Sequence, residues 1–156
     1  MEKNLDAIDI RILKALQSDC SGSVADIADR AGVSQTPCWR RIKRLEEAGY
    51  IDRKVAILNA KALNLNMTAY VLIKTSQHDE KWLERFAKGI SKVPEVLEMH
   101  RMAGDVDYLL KVVAGDVTDY DRIYKKLIKV VDLSDVSAGF SMECLKSTTE
   151  LPLDRI

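Results

Sequence analysis

Residues Ser34–Gly49 read SQTPCWRRIKRLEEAG, and this stretch decides the fold. Ser34 has the side chain of a helix N-cap, and Gly49 suits the position just past a helix end. Within this stretch, no acidic residue occurs before Glu46. The apolar residues recur at helical spacing and form one stripe, which consists of Cys38, Ile42 and Leu45. The stretch therefore predicts a short helix with one side for packing and another for phosphates and base edges.

The other sides of this helix carry residues that can contact nucleic acid. They are Ser34, Gln35, Thr36, Pro37, Trp39, Arg40, Arg41, Lys43 and Arg44. A solvated helix surface often carries basic residues as well, so this helix alone leaves both interpretations open. The whole chain has 24 basic and 24 acidic side chains, so net charge attracts no nucleic acid. Any affinity for DNA must come from a local patch, and residues 40–44 are that patch.

The segment in front of this helix favours DNA binding. Ser23 and Asp26 have the spacing of a helix capping pair, and Gly32 provides a tight turn before Ser34. A short helix, a glycine turn and a Ser-capped helix are typical of a helix-turn-helix, whose second helix lies in the major groove. An earlier helix, capped at Asp6, completes a three-helix unit. Its expected shared core contains Leu16, Ile27, Ala28, Val33, Ile42 and Leu45.

The residues after Gly49 are rich in β-formers. We expect Tyr50–Leu58 to be the wing or exit strand of a winged helix, with Arg53 and Lys54 available to phosphates. An ordinary solvated hairpin would carry the same residues, and both interpretations stay open. The segment Asn59–Asn66 breaks the periodicity. The predicted organisation is therefore a DNA-binding domain at 1–58, a linker at 59–66 and a second domain at 67–156.

The second domain alternates between strand and helix patterns. The predicted elements are strand Met67–Thr75, helix Asp79–Ser91, strand Leu97–Ala103, strand Asp107–Ala114, helix Thr118–Val131 and a last strand at Val136–Ser147. This order is that of a ferredoxin-like βαββαβ domain, with two helices on one face of a sheet. Such apolar strands would not leave the other face bare, so a second copy is expected to cover it. The predicted fold class is α+β, a winged helix-turn-helix followed by a ferredoxin-like domain.

Three segments together resemble one known family. Leu5–Asp9 (LDAID), Gly32–Ile51 and Gly104–Leu110 (GDVDYLL) are similar, in order and spacing, to the Lrp/AsnC family of bacterial and archaeal transcription regulators. The resemblance covers nearly the whole chain. It implies dimers that pair sheet to sheet and join into tetramers or octamers. A dimer would place two recognition helices on half-sites about one helical turn apart on double-stranded DNA.

The Gly104 turn has two interpretations. As a plain hairpin, its glycine allows positive φ and its aspartates hydrogen-bond the backbone. The family resemblance implies instead a subunit contact with a pocket for a small effector, usually an amino acid, whose charged ends a carboxylate and backbone N–H groups would bind. The implied residues are Gly104, Asp105, Val106, Asp107, Tyr108, Asp135 and Ser137. Because Val106 replaces a common aromatic residue, leucine is not assumed to be the ligand.

Other classes of protein find little support. The chain has no nucleophile elbow, phosphate-cradling glycine loop or metal cluster, so an enzyme, a catalytic residue, a metal and a cofactor are not expected. Its cysteines, Cys20, Cys38 and Cys144, are odd in number and far apart, which argues against a disulfide framework. No apolar run approaches the roughly 20 residues of a membrane helix, and no signal peptide is evident. A cytoplasmic location is expected.

The sequence thus predicts a homo-oligomeric DNA-binding regulator of amino-acid metabolism or transport, gated by an amino acid. One alternative stays open. A chromosome-architectural protein would use the same helix-turn-helix but bind many sequences with little preference and ignore amino acids.

Overall fold

The computed structural model describes residues 5–77, 79–130 and 133–155. The chain divides into two compact units. The first unit comprises the residues up to Ile57 together with those from Lys146 onward, and the second unit comprises Leu58–Leu145. None of the described helices is long and apolar enough to cross a membrane.

The described residues of the first unit form the three expected helices, which are α1 (Ala7–Ser18), α2 (Val24–Ala31) and α3 (Gln35–Glu47). The predicted caps are confirmed, because Asp6 with Asp9, and Ser23 with Asp26, each form a complete capping box. Gly32 ends α2 at φ 64°, in the left-handed region that a residue with a side chain adopts only with strain. The helix-turn-helix is therefore encoded by local sequence signals.

The two ends of α3 differ in how their backbone groups are satisfied. At its C-terminal end Gly49 has φ 77°, and the N–H of Tyr50 donates to the carbonyl of Leu45 over 3.0 Å. This is the closure that a glycine past a helix end permits. At the other end Ser34 adopts the expected N-cap backbone, but its side chain makes no capping hydrogen bond.

The apolar faces of the three helices meet in one core. Its buried members are Ile12, Ala15, Leu16, Ile27, Ala28, Ala31, Cys38, Ile42 and Leu45, with Val33 partly buried beside them. The predicted core is therefore confirmed. One charged side chain shares this interior, because Asp9 has no exposed surface.

The C-terminal segment also belongs to this unit. Leu153 is buried, and the side-chain amide of Gln17 on α1 donates to the carbonyl of Leu151 and accepts its N–H. Lys14 forms an ion pair with Asp154. These contacts group the chain from Lys146 onward with the helices, whereas the sequence predicted that residues 67–156 belong together. The sequence pattern does not reveal this grouping, because the contacts join residues 134 and 140 positions apart.

The described residues of the second unit begin with a short 3-10 helix, Lys61–Leu63, inside the predicted linker. They continue with β1 (Met67–Lys74), α4 (Glu80–Ile90), β2 (Val96–Arg101), β3 (Tyr108–Ala114), α5 (Val117–Leu127) and β4 (Asp135–Phe140). The strands form one antiparallel sheet in the order β2-β3-β1-β4. The predicted βαββαβ order is confirmed, and with it the α+β fold class.

Both helices of the second unit pack on the same face of the sheet. Trp82 and Phe86 of α4, and Ile123 of α5, lie in one core with Val71 of β1 and Leu110 of β3. Successive residues of a strand point to opposite faces. Tyr70, Leu72, Leu109 and Lys111 therefore point to the other face, which neither described helix covers. Tyr70 remains 42% exposed there.

Three predicted elements differ from the structure by more than two residues. Residues 51–59 form no strand, so the expectation of a wing strand at Tyr50–Leu58 is wrong for this chain. A strand requires a hydrogen-bonded neighbouring strand, and the described residues supply none for this segment. The last strand ends at Phe140 rather than Ser147. Phe140 pairs with Ala69 of the partner strand β1, and β1 begins only two residues before Ala69, so little of it remains to pair with. Helix α5 ends at Leu127. Beyond it, the backbone N–H groups of Lys129 and Val130 donate to carbonyls three residues earlier, which tightens the chain into turns. Val131, its predicted last residue, lies outside the described residues.

Candidate DNA-binding surface and effector turn

One face of α3 is available for a ligand. Residues three and four apart share a helix face, so Thr36, Trp39, Arg40 and Lys43 lie together on the side away from the buried stripe. All four are exposed, and Gln35 and Pro37 of the first turn are exposed beside them. We define Thr36, Trp39, Arg40 and Lys43 as the recognition face. This face contains four of the nine residues in this stretch that the sequence predicts to contact DNA.

Two of the predicted DNA-binding arginines point elsewhere. Arg41 donates to Asp9 over 2.7 Å and to Asp6 over 2.6 Å, and Arg44 donates to the other oxygen of Asp9 over 2.5 Å. Arg41 keeps only 27% of its side-chain surface exposed. The two guanidinium groups thus join α3 to the start of α1. They hold the recognition helix in place, a role that the sequence interpretation had not assigned to them.

Both carboxyl groups in this cluster stay ionised. The N–H of Asp9 and the guanidinium of Arg41 lower the pKa of Asp6 to about 2. Burial raises the pKa of Asp9, but hydrogen bonds from Arg44, from the N–H of Asp6 and from Arg41 outweigh burial and leave that pKa below its usual value. The sequence did contain a sign of this cluster, because Asp9 has the helical spacing of Ile12 and so lies on the core side of α1.

The remaining cations differ in how strongly they are paired. Lys43 and Lys54 both bind Glu46, over 3.1 Å and 2.8 Å. Arg53 lies 3.9 Å from Asp52, and both side chains are highly exposed. Such surface pairs contribute little energy and open readily to a phosphate. Arg40 has no ion-pair partner among the described residues, so its guanidinium is available without breaking any contact.

The Gly104 turn closes the end of the sheet through Asp107. Gly104 has φ 122°, as expected for a glycine turn. The Asp107 backbone accepts from Met102 and donates to Ile73, over 2.8 Å and 2.9 Å. Its carboxylate accepts the N–H of Thr75 over 2.8 Å. Asp107 is therefore the aspartate that hydrogen-bonds the backbone, which accounts for it structurally.

The other predicted effector residues have different surroundings. Asp105 is exposed, and no hydrogen-bond partner of its carboxylate lies among the described residues. Val106 is half-buried. Tyr108 is only 3% exposed and packs against Trp82 and Phe86, with ring centroids 5.8 Å and 5.1 Å apart. Within one chain, Tyr108 is thus a core residue rather than a residue open to a ligand.

The structure brings the two predicted groups of effector residues to one end of the sheet. Ile73 of β1 pairs with Tyr108 on one side and with Val136 on the other. Asp135 and the Gly104 turn therefore flank the end of β1, roughly 10 Å apart across two strand spacings. Ser137 is exposed and lies opposite Leu72.

A depression of about 450 Å³ lies beside Asp135. Its lining residues are Tyr124, Ile128, Leu133, Ser134, Asp135 and Val136. The sequence interpretation had named only Asp135 among them, because Tyr124 and Ile128 fit the apolar pattern of a helix core. The depression does not include the Gly104 turn, so the two groups of predicted residues do not form one pocket within a single chain.

Comparison with known proteins agrees with this arrangement. The protein-family model of the Lrp/AsnC ligand binding domain matches residues 68–151, and the family model of a winged helix-turn-helix DNA-binding domain matches residues 5–52. The glutamate uptake regulatory protein of Zymomonas mobilis is 44% identical over 153 residues, which cover 98% of this chain and 93% of that protein.

Solved structures agree as well. A crystal structure of an AsnC family transcriptional regulator from Agrobacterium tumefaciens matches with a TM-score of 0.94 at 49% identity, covering 97% of this chain and 99% of that one. A transcriptional regulator of Neisseria meningitidis in complex with L-methionine matches with a TM-score of 0.92 at 31% identity, with the same coverage of both chains. The helix-turn-helix, the sheet with its helices on one face and these matches over almost the full length agree, and the chain belongs to the Lrp/AsnC family of DNA-binding transcription regulators.

Proposed function

We propose that this protein is a homo-oligomeric, cytoplasmic transcription regulator of amino-acid metabolism or transport. Its affinity for promoter DNA is controlled by the binding of an amino acid. The observation that carries the proposal is which side chains of α3 are paired and which are exposed. Its arginines Arg41 and Arg44 are bound to carboxylates of α1, while Arg40 and Trp39 remain exposed on the opposite part of the helix. A recognition helix fixed from one side and open on the other is suited to the major groove.

The contacts to DNA divide by chemistry. Gln35, Thr36, Trp39 and Arg40 face base edges, since they lie in the first turns of the recognition helix. Lys43, Arg53 and Lys54 neutralise phosphates, and their exposed ion pairs exchange one anion for another at little cost. Ser34 and Pro37 lie at the helix start, where the uncapped end favours a phosphate. Arg41 and Arg44 act through position rather than through contact.

Assembly uses the open face of the sheet. Tyr70, Leu72 and Leu109 share this face with the ion pair between Lys111 and Glu98, whose atoms are 2.8 Å apart. A second copy laid on the same face would bury the apolar residues, as a two-fold symmetric interface allows. The dimer then presents two recognition helices, and further pairing gives tetramers or octamers.

The effector binds where subunits meet, at the sheet end that carries the Gly104 turn and Asp135. The free carboxylate of Asp105 binds the ammonium group, and backbone N–H groups of the turn bind the carboxylate. The ligand-binding description of the matched family model and the methionine complex of the Neisseria relative support an amino acid as the class of effector. The name of the Zymomonas relative supports genes of amino-acid uptake as targets. Effector binding changes the arrangement of subunits and hence the half-sites that one oligomer holds.

The test is a DNA-binding titration with promoter fragments from beside the protein's own gene, at fixed salt, with and without each amino acid. We expect one amino acid to change the affinity or the footprint. Asp105→Ala should abolish that response while leaving effector-free DNA binding intact. The matched control is Asp121→Ala, because Asp121 is exposed and, among the described residues, forms an ion pair only with Lys125 on its own helix.

Two outcomes would contradict the proposal. Equal affinity for unrelated DNA, with no response to any amino acid, would identify a chromosome-architectural protein instead. Loss of all DNA binding by a folded and assembled Asp105→Ala protein would remove the turn from the effector site.

A further inference from the structure

The recognition face carries one large apolar side chain among polar neighbours. Trp39 keeps 51% of its surface exposed, while Cys38 and Ile42 beside it are buried. Its indole N–H has no partner among the described residues. An indole is usually buried over most of its surface, with its N–H hydrogen-bonded. Its exposure on this helix marks a surface that a ligand covers.

The position of Trp39 within α3 suits contact with bases. It is the fifth residue of the helix, within the N-terminal turns that approach base edges in a helix-turn-helix. Thr36 lies one turn before it and Lys43 one turn after it on the same face. The ring therefore lies in the middle of the recognition face.

Only one base offers matching chemistry in the major groove. Thymine presents a C5-methyl group there, next to the acceptor O4, whereas the other bases present polar edges. An indole supplies an apolar ring for the methyl group and a single N–H donor for an acceptor. A guanidinium such as that of Arg40 suits guanine or a phosphate instead, so the two adjacent side chains read different features.

We propose that Trp39 determines specificity for thymine, by packing its ring against the C5-methyl of one thymine in each half-site. This inference rests on the proposed function, because α3 must enter the major groove. It deepens that function by naming the base and the chemical group that is read. Trp39 then discriminates thymine by its methyl group, while Arg40 contributes affinity that does not depend on this methyl group.

The test uses the full-length protein and a duplex that carries its footprinted operator. Each thymine is replaced in turn by deoxyuridine, which lacks only the methyl group. We expect one symmetric pair of positions to respond, with binding weakened roughly fourfold per methyl and about fifteenfold for the pair, as follows from burial of one methyl group. Replacement at other positions should leave the affinity unchanged.

Variants assign the effect to the side chain. Trp39→Ala should bind thymine and deoxyuridine duplexes equally, and Trp39→Phe should retain the discrimination, because phenylalanine keeps an apolar ring. The matched control is Arg40→Ala, which should weaken binding to both duplexes and preserve their ratio. Both positions are exposed, so circular dichroism should show unchanged folding.

Each contrary outcome has a distinct meaning. Specific operator binding by the wild-type protein without any deoxyuridine effect would overturn the inference and leave the proposed function standing. Discrimination that persists in Trp39→Ala would also overturn it, since another residue would then read the methyl group. Absence of any specific operator would overturn the proposed function, and this inference with it.

Discussion

The two units of the chain differ in how completely each one pairs and buries its own side chains. In the first unit the buried carboxylate of Asp9 has two guanidinium partners, and Leu153 from the far end of the chain adds to the packing. In the second unit α4 and α5 cover one face of the sheet, while Tyr70 and Leu72 lie on the face that no described helix covers. A closed unit can present a rigid surface to DNA, whereas an open sheet face calls for another molecule. Folding of the first unit and assembly through the second are therefore expected to fail separately.

The largest effect is expected from breaking the charge cluster of the first unit. Asp9→Asn leaves two guanidinium groups facing a neutral amide, which should lower the free energy of unfolding of this unit by about 3 kcal/mol. Native-state hydrogen exchange of the α1 and α3 amides measures the loss, and the amides of the second unit should keep their protection. Asp29→Asn is the control, since Asp29 is exposed and has no ion-pair partner among the described residues. Unchanged protection in Asp9→Asn would contradict the structural role of the cluster.

A charge placed on the open face of the sheet should prevent assembly and leave the folding of each protomer intact. Leu72→Glu should leave each protomer folded but prevent pairing, so affinity for DNA with two half-sites should fall about a hundredfold through lost avidity. Sedimentation gives the mass of the assembly, and a DNA titration gives the affinity. The control is Val117→Glu, which adds the same charge at an apolar residue that is 63% exposed on α5. An assembled Leu72→Glu protein would show that the subunits meet elsewhere.

The C-terminal segment offers a matched pair of leucines. Leu153 is 8% exposed and Leu151 is 69% exposed, two residues apart. Leu153→Ala should lower the stability of the first unit by about 2 kcal/mol, because it removes a buried side chain. Leu151→Ala should have almost no effect, since its contacts with Gln17 use backbone atoms. Equal losses for the two variants in thermal unfolding would show that side-chain burial does not hold the segment.

The smallest effect compares two helix starts inside the first unit. Ser23 accepts the N–H of Asp26, whereas Ser34 makes no capping bond. Ser23→Ala should therefore cost about 1 kcal/mol of stability, and Ser34→Ala no more than about 0.3 kcal/mol. Chemical denaturation checks both values. A substantial loss of stability in Ser34→Ala would mean that its hydroxyl caps α3 after all.

Local signals explain which parts of the fold were predictable. The capping pairs at Asp6 and Ser23, and the glycines Gly32 and Gly49, act within a few residues, so the sequence defined the three helices well. Alternation and helical spacing gave the order of the second unit for the same reason. Elements whose limits depend on a distant partner were not predictable. The end of β4, for example, depends on where β1 begins.

The candidate site shows the same division. Exposure of Trp39 and Arg40 follows from the spacing of the buried stripe, and it was predictable. The binding of Arg44 to Asp9 joins residues 35 positions apart, and a run of basic residues looks the same whether or not its members are paired. The family resemblance implied that Tyr108 contacts an effector, but its side chain follows the inward alternation of Leu110 and is buried. Pairing and burial at long range are what sequence spacing does not contain.

The placement of Leu153 also affects the order of events during synthesis. The first unit begins with the earliest residues of the chain, yet it receives this packed side chain only after all of Leu58–Leu145 has been made. At ribosomal rates the interval between Ile57 and Leu153 is roughly 5–20 s. During this interval the three helices lack the contacts that Gln17 and Lys14 of α1 make with the C-terminal segment. The DNA-binding unit is thus finished only after the whole of the sheet has been made, so the nascent chain carries the proposed assembly surface before its DNA-binding unit is complete.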